Sequence, residues 1–104
     1  METRRALPQG ATDISILVRH FAAVRDITRK NEEKLLLVQG ETVLEAINKL
    51  VVIHGDKLSS FLKGEDGKIR QGLTLLVNGE SVLSTTQIRN GDTLVIMPPV
   101  GGGA

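Results

Sequence analysis

Few side chains in this chain have the types and spacing that acid–base or metal chemistry needs. His20 and His54 are its two histidines. Neither has another His, Asp or Glu at a metal-binding interval such as H-x-x-x-H, so each reads as a packed or solvated imidazole rather than a metal ligand. The acidic pairs Glu32-Glu33 and Glu65-Asp66 stand beside Lys34 and beside Lys63 and Lys68. Neighbouring residues on a strand point to opposite faces and cannot readily share a substrate, so these carboxylates read as solvated charges. There is no G-x-S-x-G nucleophile turn, no phosphate-binding loop, no G-x-G-x-x-G after a strand, and no cysteine to act as nucleophile or thiolate ligand. The expectation is no bound metal, no bound cofactor and no catalytic side chain.

The segment with a chemical character of its own is Pro98-Pro99-Val100-Gly101-Gly102-Gly103-Ala104. Glycines have nothing to bury and maximal backbone entropy, so they add nothing to a core. Two prolines, neither able to donate to a strand ladder, stop the strand ahead of them and aim the tail away from the body. From Val100 to Ala104 such a tail reaches at most ~17 Å. A slim peptide with a carboxylate at its tip can thread a narrow channel in another enzyme, where any Cβ would meet the walls. The alternative reading is a frayed terminus or a Gly-rich linker.

Ordered elements must hold that tail in place. Residues 1–12 mix Arg4-Arg5 with Pro8 and Gly10 without periodicity and are expected to be a flexible tail. Ile14–Arg19 is β-branched and aliphatic, a predicted first strand. A loop of roughly a dozen residues carrying Phe21-Ala22-Ala23-Val24-Arg25-Asp26 leads to a second strand, Glu33–Val38, paired with the first as a hairpin. Thr42 and Glu45 form a T-x-x-E capping box ahead of a helix. Val43, Ile47, Leu50, Val51 and His54 recur at helical spacing, Leu44 widens the stripe, and Glu45 is set to pair with Lys49. Gly55 ends this helix. A helical turn at 57–62 is expected next, with Phe61 capping the helix C-terminus, then a flexible Gly64–Gly67 loop. Leu73–Val77 forms a third strand, Asn78-Gly79 a type I′ turn and Ser81–Leu83 a short return strand. After a Thr85–Arg89 connection and a turn at Asn90-Gly91-Asp92, Thr93–Met97 is the last strand.

The order β-β-α-β-β-β, with one main helix packed on one face of a mixed sheet, outlines an α+β, β-grasp (ubiquitin-like) fold over residues 13–99, followed by a flexible tail at 100–104. At 104 residues there is room for one small domain. The composition, 40% hydrophobic and 24% charged, is ordinary for a globular protein and excludes collagen-like and wholly disordered classes. A net charge of +1, two Phe and no Tyr or Trp argue against general nucleic-acid binding, which draws on basic excess and aromatic platforms. No apolar run is long enough to span a membrane, and Met1–Gly10 lacks a signal peptide's apolar region, so a cytoplasmic location is expected.

Three segments carry a resemblance: Phe21–Asp26 (FAAVRD), Leu75–Glu80 (LLVNGE) and Asn90–Gly103 (NGDTLVIMPPVGGG). In that order they make residues 14–103 resemble the MoaD/ThiS family of ubiquitin-like sulfur carriers, most closely its molybdopterin-synthase small-subunit branch. The resemblance implies that a ubiquitin-activating-type adenylyltransferase joins the C-terminal carboxylate to AMP using ATP. A sulfur donor then displaces AMP to leave a glycyl thiocarboxylate, and the tail, Pro98, Pro99, Val100, Gly101, Gly102 and Gly103, enters the large synthase subunit to deliver sulfur to a pterin precursor. The family's diglycine aligns with Gly102-Gly103, with Ala104 beyond it, so removal of Ala104 by a protease is expected to expose Gly103. The resemblance also puts the FAAVRD segment near the partner-facing side. There Phe21 is expected to plug the core edge, with presentation to a partner as the alternative; Arg25 is expected to be solvated, or to pair with Asp26, Glu33 or a partner's carboxylate. Two other functions share this fold and tail: protein modification, with Gly103 joined to target lysines, and a stand-alone binding module that keeps Ala104.

Overall fold

The computed structural model describes residues 12–98. Of the expected tails, residues 1–11 and 99–104 lie outside the described residues.

Alternating apolar residues build the first hairpin. In β1 (Asp13–Arg19), Ile14, Ile16 and Val18 are buried while the residues between them are not. β2 (Glu32–Val38) runs antiparallel to it, with Leu37 opposite Ile14, Leu35 opposite Ile16 and Glu33 opposite Val18. A carboxylate therefore occupies an inward position that the pleat otherwise gives to leucine. The connection predicted as a loop contains a short helix, α1 (Ala22–Thr28), which buries Val24 and Thr28. Its start carries none of the signals by which a helix is read from sequence: no side-chain cap, no acidic first turn, and Ala22 at φ 49°.

α2 (Val43–His54) begins with the capping box, the Thr42 side chain accepting from the Glu45 backbone N–H and the Glu45 carboxylate from the Thr42 N–H. Its buried face is Val43, Ala46, Ile47 and Leu50. Leu44 does not widen this face; it is exposed, lying beside the stripe that Val43, Ala46, Ile47 and Leu50 bury. Nor does Lys49 pair with Glu45, whose carboxylate is engaged at the cap. The Lys49 ammonium instead reaches Glu41 Oε1 at 3.1 Å. Gly55, at φ 90°, ends α2 and at once opens α3 (Asp56–Leu62), a reversal that a side chain would oppose. α3 buries Leu58 and Leu62, and Phe61 packs half-buried against the same core.

Beyond the Gly64–Gly67 loop come β3 (Thr74–Val77) and β4 (Glu80–Val82). They are joined by Asn78 and Gly79 at φ 53° and 86°, the pair of positive values a type I′ turn requires. The 85–89 connection is not a passive loop. Ile88 is buried in the core and its N–H donates to the Glu41 carbonyl, while Val43 donates to the Thr86 carbonyl, so this segment is tied to the start of α2. β5 (Thr93–Met97) then enters the centre, giving the sheet order β2-β1-β5-β3-β4 with β1 and β5 parallel. Side-chain links flank β5 on both sides: on the β1 side Asn90 Oδ1 accepts the Ser15 N–H at 2.8 Å, and from the β3–β4 turn Asn78 Oδ1 accepts the Thr93 N–H at 2.9 Å. The aliphatic core lies between sheet and helices, the expected α+β, β-grasp arrangement.

Candidate functional site

The sheet decides where the tail leaves. β5 ends at Met97, and Pro98, half-buried, is the last described residue. Because β1 and β5 are parallel, with Arg19 level with Val95, the ends of both strands share one edge of the sheet. Phe21, two residues beyond Arg19, stands at that edge. Pro99, Val100, Gly101, Gly102, Gly103 and Ala104 lie outside the described residues.

Phe21 does not plug the core. It is 39% exposed, with the Arg19 guanidinium 5.5 Å from its ring centroid. Core volume is already filled by aliphatic residues, and α1 turns Val24 inward in its place. Phe21 is therefore an apolar group displayed at the tail-exit edge, stacked under a cation. Arg25 is exposed on α1 and pairs with neither Asp26 nor Glu33; its nearest polar partner is Asn31 Oδ1, at 3.5 Å. Leu36, Val52 and Ile53 expose apolar surface in a groove of about 610 Å³ between β2 and α2.

The unforeseen feature is polar and internal. His20 Nε2 and His54 Nε2 each lie 2.6 Å from the same oxygen, Glu33 Oε2. The three side chains are 1%, 10% and 7% exposed, and the two rings meet edge to face. Lys30 Nζ stands 3.7 Å from the other oxygen, Glu33 Oε1. Burial by itself raises the Glu33 carboxyl, but hydrogen bonds from His20 and His54, and their positive charge, outweigh it, so Glu33 titrates below the ordinary carboxylate value. Glu33 is thus an ionised, buried acceptor and not the solvated charge expected of it. These residues lie far apart in sequence, so no spacing motif joins them. A signal did exist. His20 continues the inward alternation Ile14, Ile16, Val18; Glu33 continues Leu37, Leu35; and His54 ends the buried stripe of α2. Each was individually marked as facing the core.

Comparison with known proteins is consistent with this architecture. The model of the ThiS family matches residues 18–103. Small archaeal modifier protein 1 of Haloferax volcanii is 30% identical over 83 residues, covering 80% of this chain and 94% of its own. Its crystal structure superposes with a TM-score of 0.78 at 29% identity, covering 86% of this chain and 99% of the other. A putative molybdopterin converting factor, subunit 1, from Pyrococcus furiosus gives a TM-score of 0.69 at 25% identity over 83% of this chain and 98% of its own. A chain of the Amycolatopsis orientalis BexX/CysO complex gives 0.65 at 28% identity over 85% and 99%.

Proposed function

The chain belongs to the ThiS family of ubiquitin-like proteins, and on that premise we propose that it carries sulfur for molybdopterin synthesis as a thiocarboxylate on Gly103. The observation that carries this reading is the family match running through Gly102-Gly103, behind a central strand that ends at Met97. The Pyrococcus furiosus relative, named as a putative molybdopterin converting factor subunit, supports the pathway.

The chemistry belongs to the main chain. Removal of Ala104 frees the Gly103 carboxylate. Its oxygen attacks the α-phosphorus of ATP held by an adenylyltransferase of the ubiquitin-activating type, and pyrophosphate leaves. Hydrosulfide released by a sulfur donor then attacks the acyl carbon, AMP departs and the S–H proton is lost, leaving the thiocarboxylate. The large synthase subunit receives the tail and passes the sulfur to the pterin precursor. Within this scheme the fold's role is to present the tail, and Phe21 and Arg25 at the same edge contribute to docking. Glycine at 101–103 lets the tail pass walls that a Cβ would touch.

A second reading has its own support, since the Haloferax volcanii relative is named a modifier protein. There the same acyl adenylate is captured through a carrier step by a lysine ε-amine of a target, giving an isopeptide bond to Gly103.

Intact-mass measurement of the protein recovered from its native cells tests both. Loss of the alanine residue with exchange of one oxygen for sulfur establishes the carrier. A ladder of Gly103–lysine conjugates, without the thiocarboxylate, replaces it with the modifier. Chain that keeps Ala104 throughout refutes both and leaves a binding module.

A further inference from the structure

We propose that His20, Glu33 and His54 form a binding site for one divalent transition-metal ion of the zinc class, independent of the tail chemistry. Three donors of the right kind converge. Two imidazole Nε2 atoms and one carboxylate oxygen lie mutually within 4.8 Å, the only such group among the described residues. Two imidazoles with a carboxylate and no thiolate suit zinc and its first-row neighbours rather than soft Cu(I) or hard Ca²⁺.

The donors are also enclosed: both Nε2 atoms stand 2.6 Å from Glu33 Oε2, and the three side chains are almost wholly buried. Val18 lies directly across the hairpin from Glu33, and Lys30 Nζ is 3.7 Å from the carboxylate's other oxygen. Without an ion, both rings must direct an N–H at one oxygen, and a single carboxylate oxygen serves two donors 2.6 Å away. With an ion, each ring moves its proton to Nδ1 and turns the Nε2 lone pair to the metal. Zinc–ligand bonds of ~2.0–2.1 Å in a tetrahedron separate neighbouring donors by about 3.3 Å, so each N···O contact opens by well under an ångström. Water takes the fourth position on the Lys30 side, where that half-exposed side chain swings clear of Glu33 Oε1.

Position gives the site a role. His20 immediately precedes Phe21 and α1, Glu33 sits near the start of β2 and His54 closes α2. An ion there ties the short, poorly capped α1 segment, with Phe21 and Arg25, to the principal helix.

The test uses untagged, full-length protein stripped with a chelator and then loaded with Zn²⁺ or Co²⁺. The expected result is one equivalent retained through gel filtration, a melting midpoint raised by several degrees and lowered again by EDTA, and the intense visible d–d bands of tetrahedral Co²⁺. His54→Gln is expected to weaken binding by more than the roughly 10–100-fold typical of losing an outer-shell partner. Should that variant fold poorly, the Co²⁺ spectrum and the EDTA-reversible shift of the unmodified protein decide the matter alone. No retained ion, no bands and an unmoved midpoint overturn the site and leave the triad as a hydrogen-bonded unit.

Discussion

Replacing Glu33 by Gln in metal-free protein isolates what the buried triad contributes to stability. Glu33 accepts two hydrogen bonds at 2.6 Å from largely buried donors. Hydrogen bonds to a charged partner contribute about 1.5–3 kcal/mol each, and breaking a buried charged group away from its partners costs about 3–5 kcal/mol. Gln keeps the shape and one neutral carbonyl acceptor, so roughly one ordinary hydrogen bond of about 1 kcal/mol survives. The expected net loss is therefore about 2–4 kcal/mol at neutral pH. Glu32→Gln is the control: its carboxylate lies 3.8 Å from Arg19 and both side chains are more than half exposed, so the expected loss is below about 0.5 kcal/mol. Urea unfolding followed by far-UV circular dichroism in EDTA suits a chain without Trp or Tyr. The pH dependence follows from the lowered carboxyl. A group whose folded-state value is depressed contributes fully above its unfolded value, and the contribution is lost as pH falls through the folded value. The groups facing it are His20, His54 and Lys30. The wild-type advantage is therefore present above the ordinary carboxylate value and disappears in the acid range below it. Equal losses for Glu33→Gln and Glu32→Gln, or a gap that does not close in acid, would refute the reasoning.

Thr42→Ala removes the side-chain half of the capping box, leaving the residue-42 N–H to donate to Glu45, and is expected to cost ~1 kcal/mol in a urea melt, without changing the slope. Leu94→Ala, at a wholly buried position in the central strand, should cost about 2–5 kcal/mol by the same assay; a smaller loss would mean the core beside β5 collapses into the gap. Phe21→Ala is expected to cost only about 1–2 kcal/mol of stability, because the residue is 39% exposed, yet to slow adenylation of the tail by the activating enzyme in pyrophosphate exchange. Unchanged exchange would remove Phe21 from the docking edge.

Elements whose patterning is internally consistent were legible in the linear chain. The alternation in Ile14–Val18, the Thr42–Glu45 capping box and the Asn78-Gly79 turn each state a local preference that the fold then obeys. Helix α1 was not legible. Seven residues with no cap are held by burying Val24 and Thr28 against distant partners, and local propensity holds no record of that burial. The error over Phe21 has the same root: treating a scarce aromatic as core material ignores that the aliphatic residues already fill the space. Glu45 was assigned to Lys49 by helical spacing, but the cap competes for the same carboxylate and Glu41 stands within reach.

What the sequence by itself determined is the succession of the five strands and the principal helix, the inward parity of the first hairpin, and the family, because these rest on periodicity and on contiguous segments such as Asn90–Gly103. Tertiary structure alone decided which inward-facing polar residues meet. His20, Glu33 and His54 each follow the parity of their own strand or helix, but parity fixes a face and not a partner. The antiparallel register sets Glu33 opposite Val18, and the packing of α2 brings His54 to the same oxygen as His20. That convergence depends on contacts between elements far apart in the chain, and no local spacing encodes it.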